Sequence, residues 1–307
     1  MKVALVGTNW GRIHINIFRR LGMDINLLIG KNLEKSQQIA KQEGIAKASN
    51  SLEDLSSVDL IILATPASTH LDIIKAFPDK AIWCEKPVSL AHIDESELDY
   101  QQLSRCYVNY AFPHLNSVKL ATNIIREGRL GRVQSVMIKC GFNLPGDKSF
   151  SEWYSDIIIH PFSYVHHLFG KFELQMAYQM PEHNHISSVF TTKNIQMDMS
   201  FYRSHEAGML FDITFIGEKS DLHLKGGYKP YSHWHFDPVK VDSVPQNAGE
   251  HSKDEDIWLQ ANAEAARLFL HTINGEITTN EAKASGLYNL KRAINMEKAL
   301  LDALKAI

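Results

Sequence analysis

The sequence predicts an α/β protein in which a doubly wound parallel sheet is followed by an α+β domain built on a large, mostly antiparallel open sheet. In the first third of the 307 residues, short apolar runs alternate with segments of helical spacing, as in a parallel sheet covered by helices. After about Pro113, strand-like runs follow one another without helices between them, which is typical of a mixed or antiparallel sheet. We therefore expect two domains, at residues 1–112 and 113–307.

Apolar periodicity defines the elements of the first domain. Apolar residues at helical spacing predict a helix from Gly11 to Leu21, ended by Gly22. Residues 60–64 (LIILA) are continuously apolar, as expected for a strand buried on both faces of a parallel sheet. The remaining predicted elements are strands at residues 3–6, 25–29, 81–84 and 107–110 and a helix at 33–43.

The second domain begins with a predicted helix over residues 115–126 and a long strand over 132–141. Further predicted strands cover residues 186–192, 195–202 and 209–216. We interpret residues 226–253 as a loop, because this polar stretch is rich in Gly, Pro, Ser and His. Two closing helices are expected, at about residues 256–273 and 281–304.

Composition excludes several classes of protein. Lys and Arg total 32 against 35 Asp and Glu, and a net charge of -3 lacks the basic footprint of a nucleic-acid binder. No apolar run approaches the roughly 18–20 residues that span a bilayer. Cys84, Cys106 and Cys140 are odd in number and show no C-x-x-C spacing, which disfavours a disulfide framework. We expect a cytoplasmic protein that binds neither nucleic acid nor membrane; its 15 histidines are the unusual number.

A glycine-bounded turn joins the first strand to the first helix. In Gly7-Thr8-Asn9-Trp10-Gly11, backbone N–H groups and the helix N-terminus are placed to bind a pyrophosphate, as in a dinucleotide-binding Rossmann domain. The string is one residue shorter than G-x-G-x-x-G and lacks its central glycine. A tight strand-to-helix turn without a cofactor is therefore the alternative interpretation.

The end of the second strand bears on which dinucleotide is bound. The sequence there is Gly30-Lys31-Asn32, without the carboxylate that would accept the ribose hydroxyls of NAD. Lys31 is suited to pair with the 2′-phosphate of NADP, and a solvated lysine in a turn is the alternative. NAD and NADP both stay open, with NADP favoured.

Two further strings support a family resemblance. Ala64-Thr65-Pro66-Ala67-Ser68-Thr69-His70 follows the LIILA strand, and Glu85-Lys86-Pro87 follows the strand at 81–84. Together with the opening turn and the α+β second half, they resemble the Gfo/Idh/MocA family of NAD(P)-dependent oxidoreductases. The resemblance implies that Thr65, Pro66, Glu85 and Lys86 line the cofactor site, and that the Lys86–Pro87 bond is cis. His70 follows the fourth strand and is expected to approach the nicotinamide end; a residue that only begins a helix is the alternative.

The family also carries an Asp-x-x-x-His motif, which residues 156–160 match. A spacing of four places Asp156 and His160 on one face of a helix, and an exposed helix pair is the alternative interpretation. The resemblance implies that Lys86, Asp156 and His160 are catalytic. His160 then serves as acid or base, Lys86 polarises the reacting oxygen, and Asp156 orients its neighbours.

The function that follows is NAD(P)-dependent hydride transfer at a hydroxyl or keto carbon of a sugar, cyclitol or nucleotide sugar. A non-catalytic dinucleotide-binding regulator of the same fold is one alternative, and an imine reductase is another. We expect no metal site, because the adjacent His166 and His167 point about 100° apart on a helix. An open sheet is normally covered, so a homodimer or homotetramer is expected.

Overall fold

The computed structural model describes residues 1–101, 103–180, 184–192, 194–230, 233–246 and 256–307. Their contacts divide the chain into two compact units. The first is Met1–Tyr110 with Asn262–Asn295, and the second is Ala111–Ala261 with Met296–Ile307. The chain thus leaves the first unit close to the expected boundary, and a later segment returns to it.

The regular elements follow one another along the whole chain. In chain order the strands are β1 (Val3–Val6), β2 (Leu27–Ile29), β3 (Lys47–Ser49), β4 (Leu60–Leu63), β5 (Ala81–Glu85), β6 (Cys106–Asn109), β7 (Val133–Asn143), β8 (Glu173–Met180), β9 (His185–Thr192), β10 (Ile195–Arg203), β11 (Gly208–Gly217), β12 (Asp221–Lys229), β13 (His233–Phe236), β14 (Lys240–Val241), β15 (Val244–Pro245) and β16 (Tyr288–Asn289). The α-helices are α1 (Arg12–Arg20), α2 (Leu33–Glu43), α3 (His70–Ala76), α4 (Asn116–Arg126), α5 (Phe150–Ile157), α6 (Ile159–Phe169), α7 (Ile257–Ile273), α8 (Thr279–Ala284) and α9 (Leu290–Lys305).

The first unit contains the predicted parallel sheet. Its strand order is β16-β6-β5-β4-β1-β2-β3, and β1 to β6 pair in parallel. Every residue of β1, β4 and β5 is buried, as expected for strands covered on both faces. The strand order reverses beside β1, so the turns after β1 and β4 meet at the switch point where open α/β sheets bind ligands.

The second unit contains the predicted mostly antiparallel sheet. Its order is β15-β14-β12-β11-β7-β10-β9-β8, with β13 on β12, and β7 and β10 form a parallel pair. Alternate residues face the core: in β11, Phe211, Ile213 and Phe215 are buried and their neighbours are not. The core face packs on α6, where the rings of Phe215 and Tyr164 lie 5.7 Å apart.

The interpretation of residues 226–253 as a loop is wrong for much of that stretch. β12 continues to Lys229, and β13 and the short hairpin of β14 and β15 follow it. Glycine marks a close backbone approach here: a Cβ on Gly227 would lie 1.9 Å from the carbonyl oxygen of Met209 in the neighbouring strand. Residues 231–232 and 247–253 lie outside the described residues.

The predicted closing helix over residues 281–304 is also wrong as one element. It is divided into α8, β16 and α9. Gly286 has φ +94°, and Tyr288 and Asn289 then pair with Val108 and Tyr107 as an antiparallel edge strand. Among the described residues, no helix combines the length and apolarity needed to cross a membrane.

Candidate functional site

Most of the predicted cofactor residues lie along one edge of the parallel sheet. The glycine turn follows β1, Thr65 follows β4 by one residue, and Lys86 directly follows β5. These three strands are neighbours and run in parallel, so the turns at their carboxyl ends share one edge. The structure therefore brings the glycine turn, Thr65 and Lys86 together at this edge of the sheet.

The opening turn depends on its two glycines. Gly7 has φ +123°, and a Cβ there would lie 2.2 Å from the carbonyl oxygen of Ala64 at the end of β4. A Cβ on Gly11 would lie 2.4 Å from the carbonyl oxygen of Gly7. The turn is thus folded back on itself and against β4, and α1 begins immediately after it, at Arg12. Between the glycines, Trp10 is 58% exposed.

A second lysine accompanies Lys31 beside this turn. Lys31 is exposed, while Lys35 in the first turn of α2 donates a hydrogen bond from Nζ to Oδ1 of Asn9 at 2.6 Å. Asn32 caps the same helix by accepting from the backbone N–H of Lys35. Sequence reasoning missed Lys35, although its position in the first turn of the predicted helix, shortly after Lys31, was a usable signal.

The carboxylate of Glu85 lies at the centre of a buried hydrogen-bond network in the first unit. Its Oε1 accepts from Nε2 of His14 at 2.8 Å and from Nδ2 of Asn109 at 2.7 Å. Asn109 also donates to Oδ1 of Asn262 at 2.7 Å. All four side chains are buried. The network joins α1, β5, β6 and α7, and sequence reasoning foresaw only Glu85.

The hydrogen bonds to Glu85 keep it ionised. Burial by itself raises the pKa of Glu85, whereas the hydrogen bonds from His14 and Asn109 and the positive charge of Lys86 lower it. The lowering effects are together the larger, so the pKa of Glu85 falls below the ordinary glutamate value. A buried carboxylate with these donors is a structural acceptor for His14 and Asn109.

His70 connects the turn after β4 to the turn after β5. It begins α3 and is 1% exposed. Its Nε2 lies 2.8 Å from the carbonyl oxygen of Thr65, and its Nδ1 lies 3.0 Å from that of Pro87. The Lys86–Pro87 bond is cis. Burial lowers the pKa of His70 by more than the two carbonyl oxygens raise it.

In the second unit, the predicted single helix around Asp156 and His160 is two helices, and that expectation is corrected. α5 ends at Ile157 and α6 begins at Ile159, because Pro161 has no N–H to donate to the carbonyl of Ile157. Ile158 keeps helical backbone angles, φ −65° and ψ −24°, so Asp156 and His160 remain about one turn apart. The carboxylate of Asp156 accepts a hydrogen bond from Nζ of Lys148 at 2.7 Å.

Aromatic rings surround His160, which is 6% exposed. Its ring lies edge-to-face with Trp258, with centroids 5.1 Å apart, and 6.3 Å from the rings of Trp234 and Phe211. Trp234 and Trp258 stack in parallel with centroids 4.0 Å apart. Sequence reasoning missed Trp258, and the one usable signal was an aromatic residue near the start of the predicted helix at 256–273.

The other histidines do not assemble into a metal site within the described part of the chain. His166 is buried in α6, and Nε2 of His167 lies 3.3 Å from a guanidinium nitrogen of Arg126. Across the described residues, no group of three or more His, Cys, Asp or Glu side chains could hold a metal ion. His183 lies outside the described residues.

Comparison with known proteins finds a family match in the N-terminal part of the chain. Residues 1–105 match the model of an oxidoreductase family with an NAD-binding Rossmann fold, the Gfo/Idh/MocA family. The inositol 2-dehydrogenase of Rhizobium meliloti is 29% identical over 142 residues, which are 40% of this chain and 40% of that protein. The matched segments span about half or less of the curated relatives' own length.

Solved structures share the fold over the whole chain. The scyllo-inositol dehydrogenase of Lactobacillus casei has a TM-score of 0.77 at 15% identity, covering 100% of this chain and 96% of that one. A levoglucosan dehydrogenase, solved with NADH and levoglucosan, has a TM-score of 0.74 at 16% identity, covering 100% and 98%. These structures show the fold of the chain, and the family match shows an NAD-binding Rossmann domain of the oxidoreductase type in residues 1–105. The family match over residues 1–105 agrees with the resemblance found in the sequence.

The network around Glu85 predicts a pH-dependent contribution to stability. Because folding lowers the pKa of Glu85, the carboxylate stabilises the fold above its unfolded-state pKa of 4.5, and this contribution is lost as the pH falls through the lower folded-state value. We expect Glu85→Gln to lower the free energy of unfolding by about 1.5–3 kcal/mol at neutral pH. The deficit relative to wild type should shrink below pH 4.5, as measured by urea unfolding followed by tryptophan fluorescence.

The matched control is Glu97→Gln, which removes an exposed ion pair with Lys75. Its effect should be small at every pH, because exposed pairs contribute little. A Glu85→Gln deficit that stays constant across this pH range would contradict the assignment of an ionised Glu85.

Proposed function

We propose that the chain is an NAD(P)-dependent oxidoreductase that transfers a hydride between nicotinamide and a hydroxyl or keto carbon of a sugar, cyclitol or nucleotide sugar. The observation that carries the proposal is the edge of the parallel sheet, where the glycine turn, Thr65 and Lys86 follow three adjacent strands. The match of this domain to an NAD-binding oxidoreductase family supports it. The names of the similar proteins, which are inositol and levoglucosan dehydrogenases, support the substrate class.

The residues at this edge fit a dinucleotide. Without a Cβ at Gly7 and Gly11 the turn folds tightly against β4 and on itself, and α1 begins directly after it. The backbone N–H groups at the start of this helix are proposed to bind the pyrophosphate. Thr8, Asn9, Trp10, Thr65 and Pro66 are proposed to contact the same ligand. His70 and Glu85 are proposed to act from behind this surface, since both side chains are buried and hydrogen-bonded.

Two lysines support a preference for NADP. Lys31 follows β2, at a place where a carboxylate would favour NAD. Lys35 lies in the first turn of α2, and its ammonium donates a hydrogen bond to Asn9. Both lysines follow the second strand, where the 2′-phosphate of a bound NADP would lie. An anion with two negative charges gains more from this pair than a ribose hydroxyl does.

Three residues are proposed to carry the chemistry at the substrate. The Lys86 ammonium stabilises negative charge on the reacting oxygen. His160 gives or takes the proton at that oxygen, since an imidazole is suited to proton transfer near neutral pH. Asp156 is proposed to orient substrate hydroxyls, with its own carboxylate held by Lys148.

A second copy of the chain is proposed to cover the outer face of the large sheet. β8 is an edge strand on which Met176 and Tyr178 are 58% and 57% exposed, and Met137 of the central strand β7 is 40% exposed. Exposed apolar side chains on a broad sheet are typical of an interface between subunits. We therefore propose a homodimer or homotetramer assembled through this face.

The cofactor proposal predicts selective losses of affinity. Lys31→Ala and Lys35→Ala should each weaken NADP(H) binding about 10-fold, equivalent to about 1.4 kcal/mol, because each removes a cation from the 2′-phosphate. NAD(H) binding should change much less, as measured by fluorescence titration. Lys41→Ala, in the last turn of the same helix, is the control. Equal losses for both dinucleotides would contradict the NADP preference. If neither NAD(H) nor NADP(H) raises the melting temperature, the cofactor proposal itself is refuted.

The catalytic proposal predicts losses of turnover without loss of cofactor binding. Lys86→Ala and His160→Ala should each lower kcat by about 10²–10⁴-fold. Inositols, sugar alcohols and ketosugars form the substrate panel, followed at the nicotinamide absorbance band. The exposed Lys2 and His205 supply the controls, Lys2→Ala and His205→Ala. Full turnover in both active-site variants would refute the assigned roles, and dinucleotide binding without turnover on any compound would favour the regulator.

The assembly proposal predicts that charge on β8 separates the subunits. The double variant Met176→Glu, Tyr178→Glu should sediment as a monomer at micromolar concentration, while wild type sediments as a dimer or tetramer. Val244→Glu is the control, since Val244 is 61% exposed on β15 at the opposite edge of the sheet. A monomeric wild-type chain would refute the proposal.

A further inference from the structure

Two buried histidines hold the chain on either side of Lys86. His14 contacts the side chain of Glu85, the residue before the lysine, and His70 contacts the carbonyl oxygen of Pro87, the residue after it. The side chains are 0% and 1% exposed. Neither histidine is a neighbour of Lys86 in the sequence, so both contacts depend on the folded first unit.

The contact of His14 links the lysine to the glycine turn. His14 lies in the first turn of α1, which begins directly after Gly11. Its Nε2–H donates to Oε1 of Glu85 at 2.8 Å, and Glu85 accepts because its pKa is lowered and the carboxylate is ionised. A hydrogen bond to a buried charge is stronger than one between neutral groups. The last residue of β5 is therefore fixed to the helix that follows the opening turn.

The contact of His70 links the lysine to the turn after β4. The ring lies between two carbonyl oxygens, that of Thr65 at 2.8 Å from Nε2 and that of Pro87 at 3.0 Å from Nδ1. Burial lowers the pKa of His70, so near neutral pH the ring carries one N–H and donates to one of the two oxygens. Which nitrogen holds the proton decides whether Thr65 or Pro87 is the main partner.

Anchored neighbours matter for a lysine more than for a rigid side chain. Four rotatable bonds separate its ammonium from the backbone, and ordering them costs side-chain entropy. When the residues before and after it are fixed, the starting point of the side chain is fixed as well. A displacement of about 1 Å at a reacting group can cost about 10²-fold in rate.

We propose that His14 and His70 are a pair of positioning residues that fix the place of Lys86 through Glu85 and Pro87. The proposal rests on the catalytic role proposed above for Lys86. It adds that the position of Lys86 depends on two buried histidines that themselves take no part in the transfer of hydride or proton. It assigns to His70, the first residue of α3, the hydrogen bond from Nδ1–H to the carbonyl oxygen of Pro87. It also couples the lysine to the glycine turn through His14.

The first experiment separates the effect of the hydrogen bond from His14 to Glu85 from the effect of the size of the His14 side chain. His14→Leu removes the donor, whereas His14→Gln places an amide N–H where Nε2 was. We expect His14→Leu to lower kcat about 10–100-fold, with KM for the dinucleotide within about 3-fold of wild type, and His14→Gln to restore most of the turnover. If His14→Leu does not fold, Glu85→Gln takes its place with the same expected loss in kcat.

The second experiment separates the two contacts of His70. His70→Asn keeps a donor near the position of Nδ1, towards Pro87, and His70→Gln keeps one near Nε2, towards Thr65. If the link to Pro87 positions Lys86, the asparagine variant keeps most of its kcat and the glutamine variant loses it. Equal turnover in the two variants, whether high or low, would overturn this part of the proposal.

A third measurement needs no substrate, so it tests the positioning of Lys86 even if the proposed function is wrong. Reductive methylation with ¹³C-formaldehyde gives each lysine a dimethylamine signal, and the signal of Lys86 is identified by its absence in Lys86→Met. We expect this signal to move in His14→Leu and His70→Gln and to return in the two rescue variants. If the signal follows this pattern but no compound is turned over, the positioning holds and the proposed function fails.

Asn26→Ala is the control for nonspecific destabilisation. The Asn26 side chain accepts from the backbone N–H of Val3 at 2.8 Å, at the edge of the same sheet opposite to Lys86. This variant should lower the melting temperature while leaving kcat and the Lys86 signal in place. An Lys86 signal that moves in Asn26→Ala as far as in His14→Leu would overturn the proposal.

Discussion

The buried carboxylate of Glu85 is the interaction on which the carboxyl edge of the first unit depends. A charge removed from water is costly unless donors replace the lost hydration. His14 and Asn109 supply those donors to one oxygen, and Asn109 extends the network to Asn262. The requirement to satisfy one charge therefore fixes α1, β6 and α7 around the strand that ends at Glu85. Loss of either donor leaves the buried charge of Glu85 with one hydrogen bond fewer, and a hydrogen bond to a buried charge contributes more than one between neutral groups.

This network connects the glycine turn to Lys86. Gly7 can follow β1 only because it lacks a Cβ, which would otherwise meet the carbonyl of Ala64. The turn is thereby pressed against β4, and α1 leaves it in a fixed direction with His14 in its first turn. A ligand that orders the turn consequently acts on the same helix that holds Glu85. The fold uses a short, tight turn where a longer glycine-rich loop would have more freedom.

The sequence predicted elements well where local pattern and burial agree. Val3 to Val6 and residues 60–63 are apolar runs that are strands in the sheet, and Lys86 was found because its tripeptide follows such a run. Prediction failed where pairing with a distant segment decides the structure. Gly227 suggests a loop until the close approach of Met209 is known, and Tyr288 suggests a helix until its pairing with Val108 is known. For the same reason the sequence did not predict the partners of Glu85. His14 lies 71 residues before Glu85 in the chain, and Asn109 lies 24 residues after it.

The count of 15 histidines carried little information, because the chemistry of an imidazole is decided by what its ring contacts. The rings at His14 and His70 have hydrogen-bond acceptors and no exposure, so they hold other groups in place. His160 differs: the plane of its ring is set by the edge-to-face contact with Trp258. The negative charge of Asp156 is balanced by Lys148, so its electrostatic effect on a neighbouring imidazole is reduced. Aromatic packing therefore orients His160, a contribution that the Asp-x-x-x-His motif alone does not show.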